Sequence, residues 1–302
     1  MKKIIGVGAS VLDTIIEMGA YPDEDVKIKA DNVFVSGGGP VGNALVCTAR
    51  LGVESAYLGL LSNDTSGLQQ IKEFEQYDVS TKHIKLVDNV KAFTSFIILS
   101  KARGTRTCIF DRGSIPDDPN LLDLSVIKDY DILHLDGNYL NIAVEAAKKA
   151  KEYGVKVSLD AGSVYPNIDR LVPYVDILIA SEDFAMKFTK EDRVDNAIKA
   201  LQEKYHPEVL VVTEGSKGGC YYQDGEVYHY HAYEIECVDS NGAGDTFHGA
   251  FLVAYLNGKD IEECCKFASA TSAIKCQKAG VRVALPKLDE VEQFLLNRGE
   301  RY

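Results

Sequence analysis

Short apolar runs of strand length alternate with stretches of helical period along most of this chain. Ile4 to Gly8 is an apolar run that stops at glycine. Ala56 to Leu61, Ile132 to Leu135, Val155 to Leu159, Ile177 to Ala180 and Val209 to Thr213 are further runs of the same kind. Between them, Pro40 to Leu51, Asn141 to Tyr153 and Val194 to Tyr205 have helical spacing, and the first is followed by Gly52, a C-terminal helix signal. Continuous apolar strands imply burial on both faces. The order therefore predicts βαβ units and an α/β fold with a mostly parallel sheet covered by helices on both sides. The last part, Gly242 to Gly258, Ile261 to Cys276 and Lys287 to Asn297, reads as nearly all helix.

Two regions break this rhythm. Thr14 to Phe34 and Ala92 to Phe110 carry strand-like alternation with no long helix between strands, and Arg106 to Phe110 follows a Lys101-Ala102-Arg103-Gly104 turn. That pattern predicts a hairpin and a small antiparallel sheet standing off the main domain, with strands drawn from residues 14–36 and 91–112. A small sheet has two faces to bury, so the expectation is a lid whose second face meets another copy in a homodimer. No repeat, low-complexity tract or linker divides the chain, and residues 1–302 read as one domain.

Composition changes this picture little. Hydrophobic residues are 46% and charged residues 26% of 302, and the net charge is −12. An acidic surface repels nucleic acid backbones, which argues against DNA or RNA as partner. No apolar run approaches the roughly 20 residues of a membrane span. Met1-Lys2-Lys3 begins like a signal peptide, but the apolar stretch behind it is short and reads as a first buried strand. The seven cysteines make no CxxC pair; they suggest neither a disulfide framework nor a zinc site, and the expectation is a reducing cytoplasm.

The strongest chemical signal is Asp239-Ser240-Asn241-Gly242-Ala243-Gly244-Asp245 at the start of a long helix. A small-residue turn there aims backbone N–H groups outward at the positive end of the helix dipole, where they can hold negative charge on a transferring phosphoryl group. Asp245, in the first turn beside that hole, is placed to take the proton of an attacking hydroxyl. The plainer alternative is a glycine turn with a capping aspartate. In Gly37-Gly38-Gly39-Pro40-Val41-Gly42-Asn43 the glycines permit close approach to a ligand, and Asn43 can bind a hydroxyl. Alone, this segment reads better as a flexible turn leading into a helix. Thr213-Glu214-Gly215-Ser216-Lys217-Gly218-Gly219 follows a buried strand and so lies at the carboxyl edge of the sheet, where open α/β sheets bind ligands. It resembles a phosphate loop but lacks the Gly-Lys-Ser/Thr ending of a Walker motif. Gly6-Val7-Gly8 has two of the dinucleotide-binding glycines and not the third. Asp13 just beyond it is a candidate sugar ligand or a turn cap.

Together these residues resemble the PfkB/ribokinase family of carbohydrate kinases. Gly38-Gly39-x-x-x-Asn43 looks like its first signature and Asp239-x-x-Gly242-Ala243-Gly244-Asp245 like its second, and the likeness runs from Gly6 to about Pro286. Gly104-Thr105-Arg106-Thr107 through Ser114-Ile115-Pro116, and His134-Leu135-Asp136-Gly137-Asn138, look most like its ketohexokinase and sulfofructose kinase branch.

The resemblance implies a ribokinase-like three-layer α/β/α domain with a small β lid, and transfer of the γ-phosphoryl group of ATP to a sugar hydroxyl. Asp245 would be the base, and Gly242, Ala243 and Gly244 the anion hole. Asp13, Gly38, Gly39, Asn43 and Asp136 would face the sugar, and Thr213, Gly215, Ser216 and Gly218 the nucleotide. Mg²⁺ would bridge the phosphates, and Asp239 matches the position that contributes to a monovalent cation site, with K⁺ as the ion. Many members carry Asn-x-x-Glu after a central strand. Here Ser181 and Phe184 stand at those positions, and Glu182 or Asp183 is left to serve magnesium through water. Alternatives are a nucleoside kinase of the same family, a non-catalytic sugar-binding protein and a nicotinamide-dependent oxidoreductase.

Overall fold

The computed structural model describes residues 2–100, 102 and 105–300, so Lys101, Arg103 and Gly104 of the expected turn lie outside the described residues. In chain order the first elements are β1 (Lys3–Val7), β2 (Val11–Met18), β3 (Asn32–Gly38), α1 (Pro40–Arg50), β4 (Glu54–Ser62), α2 (Thr65–Gln76) and β5 (Val79–Val87). Then come β6 (Thr94–Ser100), β7 (Thr105–Asp111), β8 (Ile132–Leu135), α3 (Leu140–Tyr153), β9 (Lys156–Ala161), β10 (Ile177–Ser181), α4 (Glu182–Thr189) and α5 (Val194–Tyr205). The chain continues with β11 (Val209–Thr213), β12 (Gly219–Gln223), β13 (Glu226–Tyr230), α6 (Ala243–Leu256), α7 (Ile261–Cys276) and α8 (Leu288–Leu296).

Local chemistry sets many of these boundaries. Pro40 opens α1, where its missing N–H is not needed. Asp64 caps α2 through Gly67 N (2.8 Å), Asp260 and Glu263 form a capping box on α7, and Gly154 ends α3 at φ 71°.

Nine strands form the large sheet in the order β13-β12-β11-β10-β9-β8-β1-β4-β5, parallel from β11 to β5 and antiparallel at the β11–β12–β13 edge. Alternate strand residues enter two cores. Leu133, Leu135, Leu178 and Ala180 pack with Ile142, Phe184 and Ile198 of α3, α4 and α5. Ile132, Ile177 and Ile179 pack with Leu45, Phe247, Phe251 and Phe267 of α1, α6 and α7 on the other face. The sheet is thus the middle of three layers. Strand order reverses at β1, which lies between β4 and β8, and open α/β sheets place ligand sites in the crevice beyond such a point.

β2 and β6 leave that edge to build the lid, a four-stranded sheet in the order β3-β2-β6-β7. Its outer pairings, β2–β3 and β6–β7, are antiparallel, and the central β2–β6 pairing is parallel. The reason is topological: β1 and β5 run in the same direction in the large sheet and each feeds a lid strand from the same edge. No helix among the described residues is long and apolar enough to cross a membrane.

Candidate active site

The crevice is assembled around Asp245, half-buried in the first turn of α6. Asn43 on α1 donates from Nδ2 to Asp245 Oδ2 at 2.7 Å, while its Oδ1 accepts from Arg282 Nε at 3.2 Å. A carboxylate on one side and a guanidinium on the other allow only one orientation of this amide. Burial pushes the Asp245 carboxyl up to about 6, reinforced by Asp160 and Asp136 and opposed by Asn43 and His248. His248, one turn later on α6, holds Asp160 through Nε2 at 3.1 Å. Burial alone would raise Asp160, but His248 outweighs it and the carboxyl lies below its usual range. His134 beneath them bonds Ser158 Oγ (3.2 Å), and burial drives its pKa down to about 3.

Asp13 stands on the inner face of the lid, 8% exposed, with Oδ1 accepting from Ser95 Oγ at 2.6 Å. Burial raises its carboxyl, with Ser95 and Arg282 opposing. A Cβ on Gly38 would lie 2.0 Å from Asp13 Oδ2, so only glycine lets the loop before α1 pass this close. Arg282, 1% exposed, ties the loop from below. Its Nη2 donates to Gly38 O (3.1 Å), its Nη1 lies 3.8 Å from Glu73 Oε2, and its guanidinium stacks 5.0 Å from the Phe74 ring centre. Glu73 in turn accepts from Gly37 N at 3.1 Å. Asp13, Gly37, Ser36, Glu73 and the lid residues Ile15, Ile97 and Leu99 line a cavity of about 210 Å³.

On the other side of the Asp239–Gly244 turn lies a cavity of about 600 Å³. Thr213, Gly215, Ser216 and Gly218 all line it, together with Ala243, Gly244 and the largely apolar wall of Tyr230, Tyr233, Ile235 and Phe247. The turn is held by its own polar groups. Asp239 accepts from Asn241 N and Gly280 N, both at 2.9 Å, and its carbonyl accepts from Lys275 Nζ at 2.7 Å. Gly242 takes φ 72° to enter α6. The Ala243 amide donates back to Ser240 O at 3.2 Å, and Ala243 O accepts from Ser272 Oγ. Arg106 on β7 reaches from the lid to Asn241 Oδ1 at 2.8 Å.

Asp13, Gly38, Asn43 and Asp245 are thus brought together, and Thr213 at the end of β11 meets Gly215, Ser216 and Gly218 of the loop after it in one cavity. Asp136 sits deeper, 2% exposed, accepting from Ala9 N (2.8 Å), Val41 N (3.3 Å) and Asn138 N (2.9 Å). In this position it clamps the ends of β1 and β8 to α1, and burial raises its carboxyl to about 6. A Cβ on Gly8 would strike it at 2.4 Å, which assigns Gly8 to packing rather than to a dinucleotide turn. Glu182 lies 3.7 Å from Lys217 at the loop after β11; Ser181 caps α4 and Phe184 is core.

Arg282, Glu73, Lys275 and the Asp160–His248 pair were not singled out by motif, and Arg106 stood in the Gly104–Thr107 motif without a role. The available signal was a lone charge inside an apolar stretch, as in Gly280-Val281-Arg282-Val283-Ala284-Leu285 and Ala273-Ile274-Lys275-Cys276.

Residues 1–288 match the profile of the pfkB family carbohydrate kinases. The chain is 27% identical over 308 residues to a ribokinase of Haemophilus influenzae, covering 98% of this chain and 99% of that one. It superposes with a TM-score of 0.83 on Arabidopsis thaliana ribokinase complexed with ribose and ATP, at 26% identity over 97% of this chain and 98% of the other. For a Thermotoga maritima ribokinase the TM-score is 0.85, at 26% identity over 98% and 100%. The chain belongs to the pfkB family of carbohydrate kinases.

Proposed function

We propose that this enzyme transfers the γ-phosphoryl group of ATP to a hydroxyl of a monosaccharide bound between Asp13 and Asp245, with a ketose among its acceptors. The observation that carries this reading is the bond from Asn43 to Asp245. It engages one carboxylate oxygen and leaves the other to accept the hydroxyl proton. The smaller cavity, of about 210 Å³, lies below the usual size of a drug-like ligand site, which favours a single sugar ring over a nucleoside. Asp13 and the Gly38–Gly39 backbone hold its hydroxyls under the apolar lid residues. ATP lies in the larger cavity, with its phosphates against the loop after β11 and the turn before α6. Because the Ala243 amide is engaged by Ser240, the anion hole rests chiefly on Gly242 and Gly244.

Among the described residues no three His, Cys, Asp or Glu side chains are grouped as metal ligands. Mg²⁺ commonly keeps several waters and binds through substrate phosphates with one or two carboxylates, and Glu182, paired with Lys217 of the loop after β11, can serve it through water. Bound there, the ion would neutralise charge on the phosphates. Asp136 supports the acceptor loop from beneath. The lid closes the acceptor side, and its outer face, with Val33, Val35, Phe96 and Ile109 each about half exposed, joins two copies. Seven free thiols suit a reducing cytoplasm.

The test is a coupled ADP-release assay across ketoses, aldoses, deoxy-keto sugar acids and ribonucleosides. A monosaccharide is expected to give the highest kcat/KM. A nucleoside preferred over every sugar overturns the acceptor assignment, and ADP release that no acceptor stimulates overturns the whole reading.

A further inference from the structure

The resemblance places a monovalent cation at Asp239, and the residues present do not fit one. The Asp239 carbonyl accepts from Lys275 Nζ at 2.7 Å, and the same ammonium lies 3.8 Å from Asp239 Oδ2. Each carboxylate oxygen of Asp239 also accepts a backbone amide, Asn241 N on Oδ1 and Gly280 N on Oδ2. The Lys275 side chain is 0% exposed, on the last turn of α7, and Cys276 O beside it accepts both Val238 N and Asp239 N. A potassium ion seeking these oxygens would meet a fixed positive charge at contact distance, in a site where Coulomb repulsion is weakly screened. The oxygens that a cation would use are therefore already served by a cation tethered to the chain.

We propose that the Lys275 ammonium takes the place of the monovalent cation behind the Asp239–Gly244 turn, so that phosphoryl transfer by this enzyme needs no potassium. The turn carries the proposed anion hole, and a fixed charge behind it favours negative charge in front of it without any binding step. Tethering also makes the effect independent of ion concentration.

The catalytic arm of the test rests on the kinase reading above; the thermal arm does not. Wild-type rate and thermal midpoint are measured in potassium-free buffer with KCl replacing choline chloride at constant ionic strength, up to ~100 mM, and both should stay flat because no site is left to bind the ion. Lys275→Ala opens that site. Without potassium its kcat should fall about 10²-fold, the scale of losing one preorganised electrostatic group. KCl, but not choline chloride, should restore most of the rate and raise the thermal midpoint by mass action. A wild-type rate or midpoint that climbs with KCl overturns the proposal, whether or not the variant folds. So does a Lys275→Ala enzyme of wild-type rate without potassium. A folded variant that is slow and unmoved by KCl also overturns it, since Lys275 would then be only a structural tie; Lys275→Gln repeats the arm if Lys275→Ala does not fold. If no acceptor is ever phosphorylated, the kinase reading fails while the thermal response to potassium still decides the role of Lys275.

Discussion

The two cavities on either side of the Asp239–Gly244 turn are held by different parts of the chain. Toward the smaller one, side chains are fixed by other side chains: Arg282 holds Asn43, Asn43 holds Asp245, and Ser95 holds Asp13. Toward the larger one, the surface is mostly backbone and apolar wall, with Gly215, Gly218, Ala243 and Gly244 facing an open space. A sugar differs from its competitors by the positions of its hydroxyls, and only side chains set at fixed points read such differences. Phosphates are alike in every nucleotide, and amides at a helix start suffice for them. On this comparison, substitutions on the acceptor side should alter specificity and proton transfer, and those on the donor side nucleotide affinity.

The largest expected effect is at the point where the two sides meet. Asp245→Asn keeps the side-chain size but cannot take the proton, and kcat should fall about 10²–10⁴-fold with little change in either KM. Stability should move the other way. The Asp245 carboxyl titrates near 6 in the folded chain, above the ordinary 3.8. A raised carboxyl contributes stability that is full below the unfolded value and lost as pH rises through about 6. The thermal midpoint of Asp245→Asn should therefore equal or exceed wild type at pH 8, with the difference gone near pH 4. Wild-type kcat/KM should fall on the acid side of about pH 6; a profile flat to pH 4.5 would remove Asp245 as the base.

Arg282→Met comes next. It leaves the half-buried Glu73 opposite an apolar chain and frees the Asn43 amide to flip. Breaking a fully buried pair costs about 3–5 kcal/mol, and this partly exposed one should cost about 3 kcal/mol or less. Denaturant unfolding measures this cost, and Arg282→Met with Glu73→Gln should recover a large part of it. The rate should stay low in the double variant, because Asn43 is still unheld. Full recovery of rate would make the arginine a stabiliser alone and blur the contrast between the two sides.

A smaller effect is expected at Asp13. Loss of a charged hydrogen-bond partner weakens binding by about 1–3 kcal/mol. Asp13→Ala should raise the acceptor KM and leave that of ATP within about twofold. Equal loss on both would mean that the two cavities are one coupled unit.

Least change in kcat is expected on the outer face of the lid. A Phe96→Glu, Val35→Glu pair places charges on two positions that are 49% and 50% exposed, and light scattering should report a monomer that keeps most of its kcat. A wild-type chain already monomeric at micromolar concentration removes the interface and leaves the lid.

Much of the architecture was legible in one dimension. Burial on both faces leaves continuous apolar runs, so Ile132–Leu135 and Val209–Thr213 stand out with the bounds they have in the fold. β5, β12 and β13, at or near the sheet edges, mix exposed with buried positions and leave no such run. The glycine turn before α6 and the loop after β11 could be read because glycine at a positive φ or a close approach has few substitutes. Asn43 and Asp245 were readable as motif members, but the hydrogen bond between them, across 202 positions, was not.

What the sequence by itself determined is therefore the layering, the lid and the residue types that face the crevice, since these follow from local periodicity and local backbone demands. Which polar group each of those residues answers was decided only by the tertiary structure. Asp136 is a candidate ligand in the motif, and in the fold three backbone amides claim it. Arg282 and Lys275 are single charges in apolar stretches, and in the fold each ends 1% exposed or less beneath a glycine-rich loop. A buried charge takes its partners from whatever elements surround it, and those elements come from far apart in the chain.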